Sequence, residues 1–143
     1  MQDRLLLYVS ENNPLADKKW VDYDDLYGTR LIETQDAAAS RSCQIIKDLL
    51  TQNHSEVDYI VTLDMGSQQY LLETTDYSII ASAMTSRFWT PPKRQALPFR
   101  DPSAAINYHL LYLSKKAGKC KPFVKWLREW CLSVSQTSAF VCC

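Results

Sequence analysis

Two segments combine small, hydroxyl and acidic residues at a point where a predicted strand gives way to a predicted helix. They are residues 33–41 (ETQDAAASR) and 64–69 (DMGSQQ). Free backbone N–H groups at the start of a helix favour a carboxylate or phosphate, and the hydroxyls of Thr34, Ser40 and Ser67 can join them. These residues suit binding of a small anion. They suit ordinary helix caps equally well, and residue chemistry alone does not separate the two interpretations.

The sequence does not show the patterns of catalytic or metal sites. His54 and His109 stand far apart, without a second ligand four residues away and without an HExxH motif. The acids Asp22, Asp24 and Asp25 lack the glycine of an EF-hand loop, and the helix dipole explains acids in a first helical turn. No serine lies in a GxSxG elbow. We therefore predict a protein that is not an enzyme and uses no metal or cofactor.

The composition narrows further the class of protein to which the chain can belong. The 143 residues are 46% hydrophobic and 22% charged, which is typical of one globular domain. The charges of sixteen basic and sixteen acidic residues cancel, whereas a domain that binds nucleic acid through its phosphates usually has an excess of basic residues. Five cysteines without a CxxC motif or a signal peptide indicate reduced thiols in the cytoplasm. No apolar run is long enough to span a membrane.

The hydrophobic pattern alternates between strands and helices. Strands are predicted at residues 5–9, 30–33, 57–63, 78–83 and 108–113. Helices are predicted at 22–26, 37–52 and 67–74, with a turn at 85–89 and an apolar stripe at Phe123, Trp126, Leu127, Trp130, Cys131 and Val134. This order predicts an α/β domain with a largely parallel sheet flanked by helices. A proline-rich stretch at 90–105 looks like a linker between an acidic body and a basic tail.

The chain resembles the effector-binding domain of LysR-type transcriptional regulators over nearly its whole length. Residues 7–16 (LYVSENNPLA) and 21–32 (VDYDDLYGTRLI) resemble a family strand that ends at a His/Asn-Pro-Leu-Ala turn, followed by a dLxGxpxI segment. Residues 107–113 (NYHLLYL) and 122–130 (PFVKWLREW) resemble the closing Tyr-rich strand and F..WL helix. The chain departs from the family at residues 75–78, where glycines usually flank the strand.

The resemblance implies a periplasmic-binding-protein-like fold of type II, with two lobes and an effector cleft between them. Residues 1–98 would form lobe II. Residues 99–143 would form the hinge return with a strand and the terminal helix of an incomplete lobe I. The chain is therefore expected to be a truncated regulator that reaches DNA only through a helix-turn-helix domain absent from this sequence.

The resemblance also implies where the effector and a second subunit bind. From lobe II, the cleft would be lined by Thr34 and Gln35 and by Gly66 and Ser67, with the Thr34 hydroxyl as the first donor to a small, anionic metabolite. Glu33 would repel an anion, which leaves an amino acid or another ligand with a donor group open. Helix 37–52 would contact a neighbouring lobe I in a dimer. The corresponding interface residues are Cys43, Ile46, Lys47 and Leu50.

These expectations combine into one functional hypothesis with two alternatives. The chain would be the effector-sensing and self-associating part of a cytoplasmic LysR-type regulator. One alternative is a free-standing small-molecule-binding protein of the same fold, against which the missing signal peptide argues. The other is a degenerate regulator fragment with only an interaction role.

Overall fold

The structure is a computed structural model that describes residues 2–38, 40–85, 94–108 and 117–137. A six-stranded sheet lies between helices on its two faces. The strands are β1 Gln2–Ser10, β2 Arg30–Thr34, β3 Asp58–Thr62, β4 Ser78–Ser82, β5 Arg94–Pro98 and β6 Ala105–Asn107. The helices are α1 Gln35–Ala38, α2 Arg41–Gln52, α3 Met65–Thr74 and α4 Ala117–Thr137, with 3-10 helices at Tyr23–Leu26 and Ala83–Thr85.

The sheet has the order β3-β2-β4-β1-β5, and β6 pairs with the first residues of β1. β2 is parallel to β3 and β4, whereas β1 is antiparallel to β4, β5 and β6. Five strands therefore point one way and β1 alone points the other. The α/β class is confirmed, and the prediction of a largely parallel sheet is corrected to a mixed sheet. An apolar run such as β1 looks the same in either direction, so its sequence did not reveal the reversal.

The stretch at 90–105 is not a linker where the structure describes it. β5 hydrogen-bonds to β1, and Leu97 and Phe99 are buried in the main core. Pro98 ends β5, a position that a strand at the sheet edge tolerates because no partner needs the missing N–H group. Ala104 and Ile106 belong to the same core. Residues on both sides of the predicted lobe boundary at 98/99 thus pack together, and the division into lobes stays a prediction.

Alternating side chains of β1 divide between two cores. Leu5, Leu7 and Val9 face the larger core, which α2 covers. Tyr8 faces the smaller core, which α3 covers through Leu72. This alternation explains how one continuous apolar run supports helices on both faces of the sheet.

Helix 37–52 is interrupted in the structure. α1 covers Gln35–Ala38, and α2 begins at Arg41. Ser40 is extended and its side chain accepts a hydrogen bond from the Cys43 N–H group, so it caps α2. The predicted short helix at 22–26 is confirmed as a 3-10 helix at Tyr23–Leu26, and Gly28 follows it with a φ of 69°.

The tail is described in part. The predicted strand 108–113 falls almost wholly on residues 109–113, outside the described residues, as do residues 86–89 of the predicted turn. The terminal helix is confirmed as α4, which begins upstream of Pro122. Within the described ranges, no helix is both long enough and apolar enough to cross a membrane.

Candidate functional site

The two candidate ligand-binding segments lie at the same edge of the sheet. The parallel register of β2 and β3 sets Thr34 beside Thr62, so the starts of α1 and α3 are neighbours. The end of β4 lies at this edge as well, and the Met84 N–H group donates to Asp3 at the start of β1 over 2.9 Å. We call this region the carboxyl edge. In α/β sheets, ligands bind beyond the carboxyl ends of parallel strands.

Thr34 ends β2 and is partly exposed. Its Oγ1 accepts a hydrogen bond from the Ala37 N–H group over 3.2 Å, which closes the first turn of α1. That bond uses a lone pair, so the hydroxyl proton of Thr34 is available for a ligand. Gln35, the next residue, is exposed. Both residues are placed where a ligand at the carboxyl edge would meet them.

Asp64 caps α3 and occupies the donors of the second segment. Its carboxylate accepts from the Ser67 N–H group over 2.8 Å and from the Ser67 hydroxyl over 3.3 Å. The Ser67 N–H group, with smaller contributions from the Ser67 hydroxyl and the Gly66 N–H group, holds the pKa of Asp64 below its usual value. A second anion here would meet the charge of Asp64. Asp64 thus caps α3 through the donors of Ser67, which is the helix-cap interpretation that the sequence left open.

Glu33 does not face the same side of the sheet as Thr34. β2 alternates, so Leu31 and Glu33 face α2, whereas Ile32 and Thr34 face α3. The Glu33 carboxylate pairs with the Lys47 ammonium over 2.9 Å. Repulsion of a ligand by Glu33 was therefore a wrong expectation, because the charge is neutralised beneath α2.

The carboxyl edge nevertheless carries negative charge from other residues. Asp3, Asp36 and Asp64 lie on β1, α1 and the α3 cap, and the last two are exposed. The described basic residues nearby are Arg4 on β1 and Arg41 at the start of α2, so three carboxylates stand against two cations. An excess of carboxylates favours a ligand group that donates hydrogen bonds or carries a positive charge.

Sequence reasoning missed Ser82 and Tyr108. The Tyr108 hydroxyl donates to Ser82 Oγ over 3.4 Å, and the Thr85 hydroxyl donates to the Ser82 carbonyl over 2.7 Å. Tyr108 follows β6, which pairs with the start of β1, so both side chains lie at the carboxyl edge. In the sequence, the only sign of this pair was Ser82, the polar residue that ends β4, because its partner Tyr108 is distant in the chain. Gln68 was also missed, and its buried side chain ties α3 to the Ile32 carbonyl over 3.1 Å.

The predicted dimer residues on α2 do not share one exposed surface. Ile46 and Leu50 are buried in the chain's own core, so they do not line an interface. The reason is that an amphipathic helix turns its apolar positions to the sheet it covers. Cys43 and Lys47 are partly exposed, and Lys47 is paired with Glu33.

The described residues hold no group of three or more His, Cys, Asp or Glu side chains that could bind a metal. His54 lies after the end of α2 with a φ of 56° and lines an open groove with Lys47 and Tyr59. His54 therefore takes no part in the carboxyl edge. His109 lies outside the described residues.

The chain matches no family model and no curated protein. Solved structures do match. The effector-binding domain of a BenM variant has a TM-score of 0.60 at 16% identity, over 73% of this chain and 50% of that one. The effector-binding domain of QuiR in complex with shikimate has a TM-score of 0.60 at 18% identity, over 82% and 58%. CbnR, a LysR family transcriptional regulator, has a TM-score of 0.58 at 17% identity, over 73% and 36%.

This chain has the fold of a LysR-type effector-binding domain. The predicted periplasmic-binding-protein-like fold is thereby confirmed. The chain spans 36–58% of the length of these three structures.

Proposed function

We propose that this chain is the effector-sensing part of a LysR-type transcriptional regulator and that it binds a small molecule at the carboxyl edge. The observation that carries the proposal is the shared fold, which extends over 73–82% of the chain in the three structures described. One of them is an effector-binding domain in complex with shikimate. The carboxyl edge supplies exposed polar groups in the position where α/β sheets bind ligands.

The ligand is proposed to present a donor group or a positive charge to this edge. Thr34 and Gln35 offer a partly exposed hydroxyl and an exposed amide, whereas the N–H group and hydroxyl of Ser67 are engaged by Asp64. Asp36 and Asp64 repel a simple anion. A small amino acid or related amine suits these charges, and any carboxylate it carries would point away from the edge. The proposal of an amine replaces the expectation that an anionic group of the ligand lies beside Thr34.

The other parts of the proposal concern partners and location. A LysR-type regulator contacts DNA through a separate helix-turn-helix domain, so this chain is proposed to sense rather than to bind DNA or to catalyse a reaction. Its place would be the cytoplasm, and it would associate with a second copy. Because Ile46 and Leu50 are internal, the association surface is sought elsewhere on the chain.

Paired ligands test the proposal. Each amino acid of a metabolite panel is compared with the keto acid that lacks its amino group, by thermal shift and by calorimetric titration of the full chain. We expect the amine to raise the melting temperature and the keto acid to have a smaller effect. The affinity should be weak, because an incomplete cleft forms fewer contacts with the ligand. Each charge-assisted hydrogen bond that is not formed lowers the affinity about tenfold or more. No response to any member at millimolar concentration would reject the sensing function and favour an interaction-only fragment.

A further inference from the structure

α4 presents three large aromatic side chains to solvent. Phe123, Trp126 and Trp130 are 57%, 57% and 44% exposed. They follow each other at intervals of three and four positions, so they lie on one face of the helix. Their ring centroids are 5.9 Å and 6.5 Å apart. We call these three residues the aromatic strip, and a continuous aromatic surface of this kind marks an interaction site.

Basic side chains lie on the opposite face of α4. Lys121, Lys125 and Arg128 are exposed and follow each other at intervals of four and three positions. Each residue of an α-helix advances by about 100°, so Lys125 lies about 200° around the helix axis from Phe123. We call these three residues the basic face. Of the ion pairs between described residues, one involves α4, and it joins Lys125 to Glu129 at 4.0 Å.

The described part of the chain does not cover α4. None of the described residues of this helix belongs to either core, and exposed side chains lie on both of its faces. The helix has four basic residues and one acidic residue, whereas residues 1–99 have nine basic and fourteen acidic residues. α4 is therefore an amphipathic helix of positive charge in a chain whose remaining elements are acidic.

A lipid surface of negative charge would use both faces of α4 at once. The aromatic strip suits the boundary between headgroups and acyl chains, where Trp side chains are enriched. The basic face then lies about 10 Å away, across the diameter of the helix, which is close to the Debye length at physiological salt. Its cations are therefore still attracted by the surface. A protein groove contacts one face of a helix, so charges on the opposite face would add little to binding.

We infer that α4 binds a lipid surface of negative charge, with the aromatic strip inserted at the headgroups and the basic face attracted from the solvent side. The same surface repels residues 1–99, so the acidic part of the chain projects away from it. The cytoplasmic leaflet of a membrane carries negative charge of this kind. This inference goes beyond the proposed function and requires no effector.

Cosedimentation of the full chain with lipid vesicles tests the inference. We expect binding to vesicles of equal parts phosphatidylcholine and phosphatidylserine. Binding to vesicles of phosphatidylcholine alone should be weaker by about tenfold or more, because each cation near an anionic surface contributes about fivefold. Added salt should weaken binding to the anionic vesicles, since it screens exposed charges.

One pair of variants tests the aromatic strip. Trp126→Gln removes an exposed aromatic ring without a change of charge, and it should weaken binding to the anionic vesicles about tenfold. Tyr27→Gln is the matched control, because Tyr27 is 66% exposed and lies outside α4. It should leave binding unchanged. Equal losses in both variants would overturn the role of the strip.

A second pair of variants tests the basic face. Lys121→Gln/Arg128→Gln removes two cations that form no ion pair with a described residue, and binding to the anionic vesicles should fall about tenfold or more. Lys19→Gln/Arg41→Gln removes the same charge from two exposed positions outside α4 and should leave binding almost unchanged. Equal losses in both variants would show that net charge, rather than α4, sets the attraction, and would overturn the inference.

Two results with the wild-type chain also overturn the inference. If the chain binds vesicles of neither composition, a lipid surface is excluded and the aromatic strip is left for a protein partner. If it binds both compositions equally, the basic face takes no part. Circular dichroism checks that each variant folds, and Phe123→Gln replaces Trp126→Gln if the latter does not.

Discussion

The Glu33 carboxylate and the Lys47 ammonium meet over 2.9 Å between β2 and α2. The Glu33 side chain is 9% exposed and that of Lys47 is 29% exposed. The Lys47 nitrogen also lies 4.6 Å from the centre of the Tyr59 ring. The same ammonium group therefore contacts both a carboxylate and the face of an aromatic ring. This arrangement holds α2 on the sheet and turns the charge of Glu33 away from the candidate effector site.

Removing Lys47 should therefore destabilise the fold. Lys47→Met leaves the buried carboxylate of Glu33 without its partner, and we expect a loss of about 2–4 kcal/mol in the free energy of unfolding. The double variant Glu33→Gln/Lys47→Met should recover part of this loss, since no unpaired charge is left. Urea unfolding followed by circular dichroism measures both. A double variant less stable than Lys47→Met alone would contradict the explanation.

Tyr59 should make the fold sensitive to alkaline pH. Burial, followed by the charges of Glu33 and Cys43, raises the pKa of Tyr59 from 10.0 to about 12. Between these values the unfolded chain has lost a proton that the folded chain keeps, so stability falls as pH rises from about 10 to 12. Tyr59→Phe should flatten this fall in urea midpoints measured at pH 9 and pH 11. The exposed Tyr70, changed to Phe, is the matched control, and an equal flattening by that change would contradict the assignment to Tyr59.

The features that the sequence predicted correctly are those decided by near neighbours. The strand at Arg30–Thr34 and the cap at Asp22 follow from local periodicity and capping chemistry. The order of strand and helix was enough to place Thr34 and Ser67 at one edge, because parallel strands share their carboxyl ends. The prolines around β5 concealed a strand, since local composition cannot show that β1 offers an edge to pair with.

Contacts between residues that are distant in the chain could not be predicted from the sequence. Glu33 and Lys47 are separated by α1 and almost two turns of α2, and only the packing of α2 on β2 brings them together. The dimer residues taken from the resemblance included Ile46 and Leu50, whose apolar character serves the chain's own core. Ser82 and Tyr108 meet because β6 pairs with β1, a connection that no local pattern encodes.

Two glycines should respond in opposite ways to alanine. Gly28 has a φ of 69° and no atom within 4 Å of an added Cβ, so Gly28→Ala costs about 1 kcal/mol through backbone strain alone. Gly118 lies in the first turn of α4 with open space around it, and Gly118→Ala should stabilise the helix by less than the value of about 1 kcal/mol found in a helix interior. Thermal unfolding measures the first effect and helix content by circular dichroism the second. Equal destabilisation by both changes would contradict this account.

We expect the chain by itself not to bind DNA selectively. Its basic and acidic residues are equal in number, and the basic residues of α4 accompany aromatic side chains that suit a lipid surface. An electrophoretic mobility shift at moderate salt, with a panel of duplexes of different sequence, should show weak binding that does not depend on sequence. Binding that survives salt and prefers one duplex would contradict the prediction.

Thr34 provides the most direct test of the effector site. Thr34→Val keeps the shape of the side chain and removes both the hydroxyl proton offered to the ligand and the acceptor for the Ala37 N–H group. We expect affinity for the effector to fall about tenfold, the value of one or two lost hydrogen bonds.

Thr34→Ser retains the hydroxyl and should bind almost as well as the wild-type chain. Thr74→Val removes a hydroxyl that bonds the Tyr70 carbonyl at the other end of α3, and it should leave affinity unchanged. Calorimetric titration with the amine selected from the panel measures all three. Unchanged affinity in Thr34→Val would remove this residue from the site, and an equal loss in Thr74→Val would show a general effect on stability instead.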